Sequence, residues 1–218
     1  MEKRKVSYPL YITAFLLSAA VFAIGVFVGM VVDSANMASL NDRVESLSQR
    51  STSVQLLLLM EGNSSAYCPV FRSELETIDA DIERIGYELT FMEEKRQAYD
   101  PELKRQYFLL EAGSYALAKK VNQICGSEEH LLLYFYSNED CDSCLQQGEE
   151  ILNARNSLAD AGVTMRIYSF DGDLGSPVAE ALMAQHGVTG YPSVVIDGVT
   201  HSGYADVLAI RELVSHAG

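Results

Sequence analysis

The sequence predicts a C-terminal α/β domain of βαβαββα order, carried on an antiparallel three-helix stalk and preceded by an N-terminal transmembrane helix. Three observations predict it. An uncharged apolar run fills residues 9–32. Heptad-spaced apolar series follow over residues 38–124. Beyond residue 127 short apolar runs of strand length alternate with helical patterns. The chain divides accordingly into residues 1–8, 9–32, 33–127 and 128–218.

The charge follows the same division. Of 218 residues, 16 are Lys or Arg and 30 are Asp or Glu, for a net charge of −14. Residues 1–32 carry +2, residues 33–127 carry −5 and residues 128–218 carry −11. Nucleic acid is excluded as the main partner, because phosphate binding needs clustered Lys and Arg. A hydrophobic share of 48% excludes a disordered chain.

The apolar run lies between Lys5 and Asp33. Its 24 residues, at ~1.5 Å each, reach roughly 36 Å, enough to cross a ~30 Å hydrocarbon core with some tilt. Glu2-Lys3-Arg4-Lys5 precedes it, and the next basic residue is Arg43. The positive-inside rule therefore expects a cytoplasmic N-terminus and an extracytoplasmic remainder. A cleaved signal peptide is the alternative. Its apolar stretch is normally about 7–15 residues before a small-x-small site. The longer run and the poor Asp33-Ser34-Ala35 pattern favour an uncleaved signal anchor, and both readings export the rest.

The stalk series are Leu40, Val44, Leu47, Val54, Leu58; then Leu75, Ile78, Ile82, Ile85, Leu89, Met92; then Leu103, Tyr107, Leu110, Leu117, Val121. Ser51 and Ser114 occupy the missing positions of the first and third. Steps of three and four keep one helix face apolar. Asp100-Pro101-Glu102 supplies a cap, a first-turn proline and an acid for the third helix. Short connections make neighbours antiparallel. Packing within one chain is the first reading of these heptads; a coiled coil between chains is the second. The up-down-up path brings Cys68 and Cys125 to the same upper end. A disulfide there would contribute roughly 4 kcal/mol on the chain-entropy model. Asn63-Ser64-Ser65 fits an N-glycosylation acceptor. Three helices of this length would lift the last domain roughly 35–40 Å off the membrane.

In the last part, residues 131–136 and 164–170 read as strands and 141–159 as the helix between them. Residues 176–186 read as a helix, 193–196 and 200–202 as a hairpin about Asp197-Gly198, and 205–216 as the closing helix. Cys141-Asp142-Ser143-Cys144 falls where the first strand gives way to a helix. Amide groups and the dipole at a helix N-terminus favour a thiolate, which is the attacking species. A second thiol one turn on resolves the mixed disulfide. Cys141 is the expected nucleophile and Cys144 the more buried resolving thiol.

The strand leading into Cys141-x-x-Cys144, the later Val188-Thr189-Gly190-Tyr191-Pro192-Ser193, and Asp197-Gly198 with Gly203 resemble the thioredoxin-like superfamily over residues 128–218. The resemblance implies a thiol–disulfide oxidoreductase. It also implies that Pro192 is cis and faces the cysteine pair, with Tyr191, Asp142 and Ser143 shaping the substrate groove. No diffusible cofactor is expected, because the dithiol holds the electrons. The expected partners are protein thiols and disulfides and a redox partner at or in the membrane. Two departures stand out. Tyr134 or Phe135 falls where the family has a buried first-strand Asp. Glu139, Asp140 and Asp142 surround Cys141, and such like charge disfavours its thiolate and makes the couple more reducing. Two other functions compete. In one, a static Cys141–Cys144 disulfide belongs to a membrane-tethered interaction protein. In the other, the pair binds metal with His130, His186 or His201, but no second ligand pair has the spacing zinc needs.

Overall fold

The computed structural model describes residues 8–61 and 65–217. The basic flank at residues 3–5 and the Asn63 acceptor lie outside the described residues.

Helix α1 (Tyr8–Glu61) is one unbroken helix of 54 residues, roughly 80 Å long. The sequence reading divided it at residue 33 into a membrane helix and a stalk helix. The structure has no break there, because residues 30–61 contain neither Gly nor Pro to stop propagation. Its first half is exposed, with Phe15 and Phe22 more than two-thirds accessible. This segment is long and apolar enough to cross a membrane. From Leu40 onward the same helix is packed.

A short 3₁₀ turn (Ser65–Tyr67) leads into α2 (Cys68–Arg96), with Pro69 in the first turn. The chain leaves α2 through Gln97 in a left-handed conformation. Asp100 then caps α3 (Pro101–Cys125), its carboxylate accepting from the amides of Glu102 and Leu103 at 3.0 and 3.1 Å. Arg43–Glu88, Arg50–Glu74 and Arg96–Asp33 fix the antiparallel register of α1 and α2. Such exposed pairs set register more than stability, at about 0–1 kcal/mol each.

All three apolar series are buried within the chain. The two serines that interrupt them are also buried, and both are hydrogen-bonded. Gln55 Nε2 donates to Ser51 Oγ and to the carbonyl of Gly113 across the α1–α3 seam. Ser114 donates to Asp79 of α2. The gaps in the heptads are therefore polar contacts between helices.

Beyond the stalk the fold is mixed α/β. Strands β1 (His130–Tyr136) and β2 (Met165–Asp171) pair parallel, and β3 (Ser193–Ile196) and β4 (Val199–Ser202) extend the sheet antiparallel in the order β2-β1-β3-β4. The turn between β3 and β4 needs positive φ at both Asp197 (49°) and Gly198 (92°), which suits Asp-Gly. Helices α4 (Cys144–Asp160) and α6 (Val207–Ala217) cover one face through Leu132, Tyr134, Ile151, Val194 and Ile210. The other face, with Leu133, Phe135, Tyr168 and Phe170, packs on α5 (Pro177–His186) and on the stalk. Stalk and sheet share this core.

That sharing explains what the sequence reading missed in α3. Besides its heptad stripe, α3 buries Phe108, Ala112, Tyr115 and Ala118. Phe108 packs on Phe170, and Tyr115 lies edge-on to Tyr168, with centroids 5.6 and 5.7 Å apart. One stripe faces α1 and α2; the other faces the sheet.

These contacts also fix direction. Passing up α3, Lys104 meets Asp171, Phe108 meets Phe170, Glu111 meets Ser169 and Tyr115 meets Tyr168. Strands β1 and β2 thus run back down the stalk. The expectation that the stalk lifts the cysteine end of the domain by its full length is corrected: that end lies beside the start of α3. The cause is the four-residue connection from α3 to β1, which turns the chain straight back on itself.

Candidate functional site

The site lies at the end of the sheet where β1 and β2 finish and β3 begins. Ser193 pairs with Phe135, so Pro192 enters the sheet beside the end of β1. The loop from β1 to α4 leaves from the same place. Ser137, itself buried, organises that loop by accepting from the amides of Glu139 and Asp140 at 3.1 and 3.0 Å. Asn138 donates to Asp171 at 2.6 Å, tying the loop to the end of β2.

Cys141 and Cys144 are joined as a disulfide, Cα to Cα 5.4 Å. Cys141 stands before α4, not inside it as the sequence reading had it, because Asp142 and Ser143 form a turn and Ser143 is the N-cap. Cys141 is partly exposed, and Cys144 is 6% exposed. Asp142 is exposed and Ser143 partly so. Tyr134 points its hydroxyl at the Cys144 carbonyl, 2.6 Å away. Burial raises the Tyr134 pKa, so it remains a proton donor in that bond. At this strand position an aromatic hydroxyl fixes the helix start.

The Tyr191–Pro192 peptide is cis, and Pro192 is buried. The Pro192 carbonyl accepts from Gly203 at 2.8 Å. Two residues on, Ala205 is held by buried Gln147, whose side chain both accepts from its amide (2.7 Å) and donates to its carbonyl (2.9 Å). Gln147 lies three residues beyond Cys144 on α4. A short chain of contacts therefore links the cysteine helix, the 203–205 loop and Pro192. The sequence starts the last helix at residue 205; in the structure Ala205 belongs to this clamp, and Asp206 caps α6 by accepting from the amide of Ala209 at 2.8 Å.

Tyr191 takes a different place. Its ring lies against Gly172, where any Cβ would collide with it, and its hydroxyl is 3.8 Å from Met183 Sδ. Burial, then Asp173 and Asp171, raise its pKa. Tyr191 thus packs toward the β2–α5 loop.

Cys68 and Cys125 are joined at the far end of the stalk, Cα to Cα 5.6 Å. Arg72 donates to the Cys125 carbonyl at 2.9 Å. The three candidate histidines stand on three different elements. His130 pairs with Asp197 at 2.6 Å at the opposite end of the sheet. His186 ends α5, where burial and then Lys119 lower its pKa. His201 sits on β4. Among the described residues no group of three or more His, Cys, Asp or Glu side chains is placed to hold a metal ion.

A polar cluster between stalk and sheet went unread in the sequence. Glu111 is buried on α3, accepts from Tyr107 Oη at 2.5 Å and from the edge-strand amide of Ser169 at 2.7 Å. Burial raises its pKa to about 8, against the lowering effect of those two bonds. Arg166 pairs with Glu129 and Asp79, and burial raises the Asp79 pKa against Ser114 and Arg166. These groups line a cleft of about 590 Å³. Glu111 takes up the Ser169 amide on the outer edge of β2, which would otherwise be free for another strand. The available signal was a glutamate set between Phe108 and Tyr115 on an otherwise apolar helix face.

Comparisons with protein-family models, with curated proteins and with solved structures found no match to this chain.

Proposed function

We propose that this chain is a membrane-anchored, extracytoplasmic thiol–disulfide oxidoreductase whose residues 128–218 form a thioredoxin-like domain. The observation that carries the reading is the cysteine pair itself. Cys141 and Cys144 close a disulfide at the start of α4, and Cys141 is the more exposed residue of the two. The βαβαββα order and the cis Tyr191–Pro192 peptide at the same end of the sheet support it.

The chemistry balances within the protein pair. A thiolate of a reduced partner attacks Cys141 Sγ, the Cys141–Cys144 bond breaks, and Cys144 leaves and takes up a proton. The partner's second thiolate then displaces Cys141, which is protonated in turn. Two electrons and two protons arrive on the cysteine pair, and the partner keeps a disulfide. Reversal runs the same steps backward. Pro192, with no N–H of its own, offers a substrate backbone a flat surface, and Tyr191 limits the groove on one side. No cofactor enters any step.

The test is trapping. Cys144→Ala removes the resolving thiol, so Cys141 accumulates as a mixed disulfide with its substrates, visible on non-reducing gels and identified by mass spectrometry. A variant that captures nothing under oxidising or reducing conditions sinks the proposal.

A further inference from the structure

The site sits low on the stalk. Asp33 is the first charge after the apolar run and pairs with Arg96 at the end of α2 at 3.2 Å. Lys104, only three residues into α3, pairs with Glu93 of α2 at 3.1 Å and with Asp171 at 3.3 Å. Its ammonium also lies 6.0 Å from the ring of Tyr136, the last residue of β1. The end of β1 is therefore about one helical turn, ~5 Å along the stalk, from the level of Asp33. The loop carrying Cys141 continues beyond that end.

A second contact gives the same height. Arg155, eleven residues up α4 from Cys144, pairs with Glu83, thirteen residues up α2 from Arg96. Because α1 is unbroken from Tyr8 to Glu61, the stalk follows the axis of the membrane-crossing segment. The orientation of the site is thus built into one helix.

The cysteine helix and the segment bonded to it carry exposed apolar side chains. Leu145 is 76% exposed, Leu208 72% and Tyr204 40%. Gln146, two residues beyond Cys144, donates to the Tyr204 hydroxyl at 2.9 Å, and Glu150 accepts from the Val207 amide, which ties the cysteine helix to the segment leading into α6. Exposed Glu139, Asp140 and Asp142 lie on the other side of Cys141. Three carboxylates at the tip disfavour burial in lipid. The apolar residues then suit a protein surface better than acyl chains.

We propose that the Cys141–Cys144 pair faces the outer membrane surface and exchanges electrons with a cysteine pair that an integral membrane protein holds at that surface. The inference rests on the redox function proposed above. The exchange is the two-step transfer already written, with the partner's membrane dithiol as reductant or its disulfide as oxidant.

The chain has no Trp, so single-tryptophan variants report position directly. The full-length protein is placed in liposomes as Leu145→Trp, next to the pair, and as Val199→Trp, at the opposite end of the sheet. Nitroxide lipids labelled at the headgroup are expected to quench Leu145→Trp at least about threefold more than Val199→Trp. Nitroxides deep in the acyl chains are expected to quench neither strongly. Equal headgroup quenching of the two variants, or stronger quenching of Val199→Trp, overturns the orientation. Acyl-chain quenching of Leu145→Trp above headgroup quenching overturns the protein partner in favour of lipid burial. In a second arm, a dithiol coupled to a lipid headgroup is compared with soluble dihydrolipoamide. Confinement at the surface is expected to make the lipid-linked dithiol at least about tenfold faster at equal bulk concentration. Reduction by the soluble dithiol alone overturns the proposal through its geometry. Reduction by neither overturns it through its redox premise, with the quenching pattern left intact.

Discussion

The two disulfides have nearly the same span, 5.6 Å for Cys68–Cys125 and 5.4 Å for Cys141–Cys144, and little else in common. The first joins cysteines 57 positions apart, and the second cysteines 3 apart. On the chain-entropy model the long loop contributes about 4 kcal/mol to stability and the short one under about 2. The first ties together the ends of two helices. The second opens a helix and leaves Cys141 partly exposed. Similar covalent geometry thus serves as a staple at one end of the molecule and as a candidate reactive pair at the other, and the difference lies in what each bond restrains.

The largest way to break this comparison is to remove each bond in turn. Cys68→Ser with Cys125→Ser is expected to cost about 4 kcal/mol in denaturant unfolding of the full chain in detergent. Cys141→Ser with Cys144→Ser is expected to cost less than half as much. Equal losses would show that both bonds are structural.

The next test concerns what holds the cysteine domain against the stalk. Arg166→Met removes the cation between Asp79 and Glu129 and leaves two partly buried carboxylates facing each other. A loss of about 3 kcal/mol is expected in the same assay. A neutral result would mean that the sheet is held by its apolar face alone.

A smaller effect is tied to pH. The folded pKa of Glu111 is raised from 4.5 to about 8, so the folded state keeps a proton that the unfolded chain releases. The contribution is fully present below pH 4.5, declines as pH rises toward about 8, and is gone above that. Glu111→Gln keeps an acceptor for Ser169 without a charge. It is expected to flatten that decline and to gain about 1–3 kcal/mol at pH 8. A variant with an unchanged pH profile would show that Glu111 is not the titrating group.

The smallest prediction sharpens the reactive end. Asp142→Asn removes one acid beside Cys141 and is expected to lower the thiol pKa by about half a unit, read from pH-dependent alkylation of the reduced protein. No change would mean that solvent screens the acidic loop completely. A wild-type Cys141 pKa below about 5 would end the idea that these acids hold the thiolate in check.

Much of the architecture was legible because local rules and global packing agree. Alternating three- and four-residue steps marked the stalk faces, Asp100-Pro101 marked a helix start, and Asp197-Gly198 marked the hairpin. The misses have a common form. The reading placed a boundary at residue 33 where the function of the helix changes but its backbone does not. It started the cysteine helix at residue 141, although Asp142 and Ser143 make a turn first. It found one stripe on α3 and missed the second, because Phe108 and Tyr115 acquire a meaning only when a sheet lies beside them. Glu111 stands out in the sequence only as a charge between Phe108 and Tyr115, and its partner is a backbone amide 58 residues away.

By itself, the sequence determined the inventory: one apolar segment of membrane length, three helical apolar series, a cap for the third of them, an alternating α/β segment, and two pairs of cysteines. Periodicity, turn chemistry and charge are local properties, and each is written within a few residues. Only the tertiary structure decided direction. Whether the sheet runs up the stalk or back down it depends on Phe108 against Phe170, Tyr115 against Tyr168, and Lys104 against Asp171. Those contacts join residues more than fifty positions apart, which no periodicity records. They turn the cysteine end of the domain from the top of the stalk to its foot.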